Sequence, residues 1–152
     1  MATLLKALGL LLLGLVMLVG GLVAFLMIAG PGLDSDSKAY VDSTIPILVR
    51  DWNPEELTTR SSAELRELLK EPELGNLYQM FRRLGAMTQY DGSRGDARVA
   101  LNLPFGFRTT ATYLAKAEFE NGPGTIKMTL IKRDGSWQIL EFGIDSPLYL
   151  QR

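Results

Sequence analysis

The chain has 152 residues, enough for one domain of ordinary size with a short appendage and too few for two full domains. It contains neither Cys nor His, which excludes disulfides, thiol nucleophiles, the common zinc sites and any mechanism that uses imidazole as its base, so no metal and no cofactor is expected. Beyond residue 33 the 15 basic and 17 acidic residues nearly cancel, with no basic run to give nucleic acid an electrostatic footprint.

Residues 7–33, "ALGLLLLGLVMLVGGLVAFLMIAGPGL", carry no charge, and all 17 acids lie at Asp34 or later. As a helix those 27 residues would run roughly 40 Å, against about 30 Å for a hydrocarbon core, so they can span a bilayer with tilt. A cleavable signal peptide needs a shorter apolar core and a small-x-small site, and Leu22 and Met27 stand two residues before Ala24 and Ala29. A buried core helix would confine its apolar residues to one stripe, whereas Leu, Val and Gly occupy every side here. Lys6 is the only charged side chain before the run and Asp34 and Asp36 follow it, which predicts an amino terminus inside the cell and the remainder outside. The expected organisation is a membrane anchor at 1–33 with a very short cytoplasmic tail, a linker at 34–36, and an extracytoplasmic domain at 37–152.

In that domain Val41, Ile45, Leu48 and Trp52 recur at helical spacing, with a bend expected at Pro46, which has no N–H to donate. "NPEEL" restarts the chain with Asn53 as cap and Pro54 as first helical residue, Ser61 and Glu64 offer a capping box, and a further helix follows Pro72 and stops at Gly85. The period then changes to two. "AMTQY" reads as a short strand, "DGSRGD" as a turn-rich loop and "ARVALNL" as another strand, followed by three longer strands near 108–120, 125–133 and 136–145. The "RGD" within that loop is read as plain turn sequence. Helices first and hairpin-joined strands afterwards make an α+β domain, about three helices on one face of a curved antiparallel sheet of four to five strands.

Turn chemistry sets a register. The Asp134-Gly135 hairpin puts Lys132 opposite Trp137, Leu130 opposite Ile139 and Met128 opposite Glu141. A four-residue "NGPG" turn puts Phe119 opposite Ile126. Face one then holds Tyr113, Ala115, Ala117, Phe119, Ile126, Met128, Leu130, Trp137 and Ile139. Face two holds Leu114, Ile131, Leu140, Phe142 and Ile144 among Lys116, Glu118, Lys127 and Gln138, too apolar for a simple solvated surface.

This order of elements, with "YLAKAEFENGPGTIKMTLIKRDGSWQILEFGIDSP", resembles the nuclear transport factor two-like superfamily, the cystatin-like cone of curved sheet wrapped around helices. The residues that carry the resemblance are the Ala/Phe strand ending at Phe119, the Gly turn after it, and Asp134, Gly135 and Trp137 leading into a last strand with Phe142. It covers roughly 37–146 and is similar to small bacterial membrane-anchored members. The superfamily includes enzymes such as ketosteroid isomerase, non-catalytic binding and dimerisation modules, and the periplasmic domain of an assembly factor of type IV secretion channels, whose single-span layout matches this one.

Two sets of residues follow as candidates. Glu141, expected on face one, would be desolvated and raised in pKa as suits a general acid or base, with Tyr113 lining the same cavity. The alternative is a structural Glu141 at an open edge or paired with Arg82 or Arg108. No second acid accompanies it, so no catalytic residue is assigned and the chain is not expected to be an enzyme. Leu114, Ile131, Leu140 and Phe142 on face two form the expected interaction surface, for a protein partner or a second copy, unless Leu148, Tyr149 and Leu150 fold over them. The resulting expectation is a single-pass accessory or assembly protein of the bacterial inner membrane with a periplasmic or extracellular domain. The competing expectation is a ligand-binding or enzymatic cone using Glu141 and Tyr113.

Overall fold

In a computed structural model of the chain, residues 2–102 and 106–150 are described, with side-chain surroundings for 12–21, 23–24, 32–101 and 106–150. The chain forms two compact units, Met1–Leu33 and Asp34–Arg152. The first unit is helical. Its helix, α1 (Ala2–Arg50), includes residues 34–36, so the expected linker is helix. Those residues satisfy themselves without breaking it, the Ser37 hydroxyl donating to the Asp34 carbonyl at 3.2 Å. Among the described residues no helix is long and apolar enough to cross a membrane, and the expected anchor lies partly outside them.

In the second unit four α-helical segments precede an antiparallel sheet, an α+β arrangement consistent with a cone-like fold. From Asp34 to Arg50, α1 turns Val41, Ile45, Leu48 and Val49 inward and continues through Pro46. Trp52 then takes a left-handed conformation at φ 49°, unusual for a bulky residue. Its surroundings hold it there: the indole N–H donates to the Gly85 carbonyl at 2.9 Å, and the ring lies 5.8 Å from those of both Phe81 and Phe119. Helix α2 (Pro54–Arg60) starts as expected, with the Asn53 side chain accepting from the Glu55 N–H. Helix α3 (Ala63–Leu68) is capped by Ser62, one residue later than the capping box suggests, because Ser61 is spent in a bridge to Ile139. Helix α4 (Glu73–Arg82) buries Tyr78 and Phe81, and Gly85 follows at φ 78° as the expected left-handed stop.

The sheet is a meander of β1 (Met87–Asn102), β2 (Gly106–Phe119), β3 (Gly122–Arg133) and β4 (Ser136–Asp145). The expected loop at "DGSRGD" is strand instead. Its extra residues are absorbed as a register shift between Tyr90 and Ser93, with Gly92 at φ 79°, so β1 bends and carries on. Gly95, in the Arg-Gly-Asp triplet, sits so close to β2 that a Cβ would lie 1.9 Å from the Thr112 carbonyl oxygen. Between β2 and β3 the turn is two residues long, with Phe119 opposite Gly122. Tertiary contacts select it: the Glu120 N–H donates to the Ala86 carbonyl and the Asn121 N–H to the Leu84 carbonyl, both at 3.0 Å. The expected register is thus displaced by an even number of residues, which leaves every side chain on its expected face.

Face one is the core. Tyr113, Ala115, Ala117, Phe119, Ile126, Met128, Leu130 and Ile139 are all buried on it under the helices. The 3-10 helix Pro147–Leu150 follows β4; Leu148 and Tyr149 pack against this core and Leu150 is exposed, so they do not supply the alternative cover over face two.

Candidate functional site

The two residues expected to share a cavity lie on opposite faces. Leu130 pairs with Ile139 as the hairpin chemistry requires, but the next pair is Thr129 with Glu141, leaving Leu140 as the extra residue of a bulge. Beyond the bulge each β4 side chain changes face. Phe142, not Glu141, lies opposite Met128 and joins the core with Ile144. The physical reason lies in "ILEFGI": strict alternation would bury the Glu141 carboxylate and expose Phe142, and burying a Phe stabilises by about 1.5–3 kcal/mol while an unpaired buried carboxylate costs more than that. One unpaired residue is the cheaper solution. Glu141 is exposed and accepts from Lys127 Nζ at 3.0 Å and from the Thr129 hydroxyl at 3.1 Å. Its expected arginine partners do not engage it.

Tyr113 is buried on face one with its hydroxyl committed. It lies 2.8 Å from Ser37 Oγ and donates to the Asp34 carbonyl at 3.1 Å, tying β2 to α1. Of the four residues expected as an interaction surface, Phe142 is therefore core, Ile131 is buried outside the main core cluster, Leu140 is half-buried and Leu114 is 51% exposed.

What face two presents is mixed. Rows across the strands run Arg94, Leu114 and Lys127, then Asp96, Thr112, Thr129 and Glu141. Two shallow grooves, of about 490 and 430 Å³, share Arg94 and Leu114, and the first reaches Asp91 and Lys116 while the second reaches Arg98 and Thr110. Neither is lined by Tyr113 or Glu141. Arg98 Nε is paired with Asp96 at 2.7 Å, and both are well exposed. Charges of both signs around an exposed leucine suit contact with another polar surface, and among the described residues no group of three or more acids could hold a metal ion.

The polar residues with the strongest structural roles are ones that periodicity does not single out. The Asp42 carboxylate accepts from the Ser93 N–H at 2.8 Å and the Tyr90 hydroxyl at 2.7 Å, and Asp34 accepts from the Ala97 N–H at 2.6 Å. Burial alone would raise the Asp42 pKa, but the hydrogen bonds from Lys38, Ser93 and Tyr90 outweigh it and bring it down to about 2. The available signal was spacing. Eight residues along a helix cover about 12 Å, close to the roughly 13 Å spanned by four residues of strand, so two acids at that interval can meet N–H groups four residues apart on one strand edge.

No protein-family model matches the chain, and neither curated proteins nor solved structures give a match.

Proposed function

We propose that the chain is a single-pass protein of the bacterial inner membrane, amino terminus in the cytoplasm, whose external domain is an accessory or assembly module acting through protein–protein contact. In this reading the domain is a small membrane-anchored member of the nuclear transport factor two-like superfamily. The observation that carries the anchor is the surface of α1 in the first unit. Leu12, Leu13, Leu15, Val16, Met17, Leu18 and Val19 are 50–74% exposed. At about 100° per residue, Leu12, Leu13, Leu18 and Leu15 point roughly 0°, 100°, 240° and 300° around the axis. A helix apolar on every side is stable in lipid and not in water.

Association rather than catalysis is supported by how the interior is used. Face one is packed beneath the helices, and the Tyr113 hydroxyl is engaged by the protein itself. The exposed groove around Leu114 and Arg94 is the surface we assign to a protein partner or a second copy.

Two measurements test the reading. Protease added to intact spheroplasts is expected to digest the domain, and carbonate washing is expected to leave the chain in the membrane; a mature protein beginning within residues 25–31 overturns the anchor. A photo-crosslinker at Leu114 in the full chain is expected to trap a protein or a second copy in the membrane. Absence of any crosslink there, with crosslinks from the opposite side of the domain, overturns the assignment of the surface.

A further inference from the structure

We infer that the groove beside Leu114 receives an acidic segment of a protein partner, with paired carboxylates next to an apolar side chain. This rests on the reading of face two as a protein-contact surface and names the chemistry of what it contacts. The acids that line the two grooves are already engaged within the chain. Asp96 pairs with Arg98 at 2.7 Å, and Asp91 accepts from the Gln89 amide at 2.7 Å. Glu141, in the same row as Asp96, pairs with Lys127 at 3.0 Å. Arg94 and Lys116 are exposed, and among the described residues neither forms an ion pair or a side-chain hydrogen bond. Glu118 and Asp145 line a separate depression that Lys116 also borders, and they do not pair with it. The groove is thus left with two unanswered cations and no unanswered acid.

The placement of those cations sets what fits. Arg94 is the cross-strand neighbour of Leu114, and Lys116 follows Leu114 by two residues on the same face. With strands about 4.8 Å apart and alternate residues about 6.8 Å apart, the two cations stand roughly 8 Å from each other, with Leu114 at the corner between them. Two like-facing residues of an extended segment are about 6.8 Å apart, a separation that long cationic side chains match. The Arg94 guanidinium can grip one carboxylate through two parallel N–H bonds, and the Lys116 ammonium takes the other as a point charge. An apolar side chain over Leu114 keeps water from both pairs, which strengthens them. A second copy fits less well. A two-fold contact centred on Leu114 would lay Arg94 and Lys116 against the same cations of the other copy.

The test uses the full chain in a non-ionic detergent and, as probe, a fluorescein-labelled peptide of glutamate, leucine and serine, with a counterpart in which lysine replaces glutamate. Fluorescence anisotropy is read at low and high ionic strength, with detergent alone as blank. The glutamate peptide is expected to bind, the lysine peptide not to, and binding is expected to weaken with salt. Arg94→Glu or Lys116→Glu, both at exposed positions, is expected to weaken binding roughly tenfold. Arg83→Glu makes the same change of charge at an exposed arginine after α4 and is expected to alter binding by less than about twofold. Equal binding of the two peptides, or an equal loss from Arg83→Glu, overturns the inference. The Leu114 photo-crosslinker, run in membranes in parallel, separates this inference from the reading beneath it. A protein crosslink that survives Arg94→Glu and Lys116→Glu combined overturns the acidic partner and keeps protein contact at this face. A crosslink between two copies of the chain identifies a second copy as the occupant and overturns the inference. Absence of any crosslink overturns the contact reading and the inference with it.

Discussion

Replacing Asp42 by alanine removes one carboxylate that satisfies the exposed edge of β1 at two points, and the cost follows from its partners. The Ser93 N–H and the Tyr90 hydroxyl each lose a charged acceptor, at 2.8 and 2.7 Å. Such bonds contribute about 1.5–3 kcal/mol apiece where water is excluded. Here the Asp42 side chain is 32% exposed, so water takes over part of each role, and its ion pair with the half-exposed Lys38 adds little. We expect a net loss of about 2–3 kcal/mol for Asp42→Ala and about 1 kcal/mol or less for Asp42→Asn, whose carbonyl oxygen still accepts. Urea unfolding of the full chain in a non-ionic detergent, followed through the combined emission of Trp52 and Trp137, measures both. The pH dependence has a definite sign: the pKa is lowered from 3.8 to about 2 in the fold, so the ionised group stabilises above about pH 4 and that contribution is lost as pH falls through about 2. The difference between wild type and Asp42→Asn is expected to vanish over that window. An alanine variant within about 0.5 kcal/mol of wild type, or an asparagine variant as unstable as alanine, refutes the reasoning.

The bulge in β4 makes opposite predictions for adjacent residues. Phe142→Ala is expected to cost about 3–5 kcal/mol and Phe142→Asp to abolish folding, whereas Glu141→Gln, on the exposed face, changes stability by no more than about 1 kcal/mol; the same urea titrations measure all three. Gly95→Ala is expected to destabilise by about 1–3 kcal/mol, because the new methyl must push β1 away from Thr112. Hydrogen exchange that speeds specifically at the β1–β2 ladder locates that effect.

Face assignment was legible for β2 and β3, where the two turns at the ends of β3 agreed on one partition. For β2 and β3 the expected turn length was wrong, yet the error was even and Tyr113 through Leu130 stayed on their faces. In β4 the error was odd, a single bulged residue, and it exchanged Glu141 for Phe142. The pattern Ile139, Leu140, Phe142, Ile144 held that signal, since no strict alternation buries Ile139 and Phe142 together. The continuity of β1 was harder to see. Gly92 and Gly95 look alike as turn signals, but one relieves a bulge at positive φ and the other makes room for the neighbouring backbone. Only the docking of α1 carboxylates along that edge tells strand from loop, and such contacts between residues dozens of positions apart leave no local trace.

The way the two sheet edges are managed narrows where a protein partner can attach. A strand adding to β1 between Ser93 and Ala97 would have to displace Asp42 and Asp34, exchanging charged acceptors for neutral ones. At the opposite edge Ser62 donates to the Ile139 carbonyl at 2.7 Å, placing the start of α3 against β4. Edge pairing is therefore blocked at both points, the usual protection against unwanted strand addition. Face one is closed by the helices that pack on it. Face two is then a large surface left open to a protein, and Leu114 is an exposed large apolar residue on it. The mixture of Arg94, Lys116 and Lys127 with Asp96 and Glu141 around that leucine favours a contact set by charge register rather than by apolar area. Such an association should weaken with added salt. Crosslinking from Leu114 that is unchanged between low and high ionic strength would contradict this account of what the surface recognises.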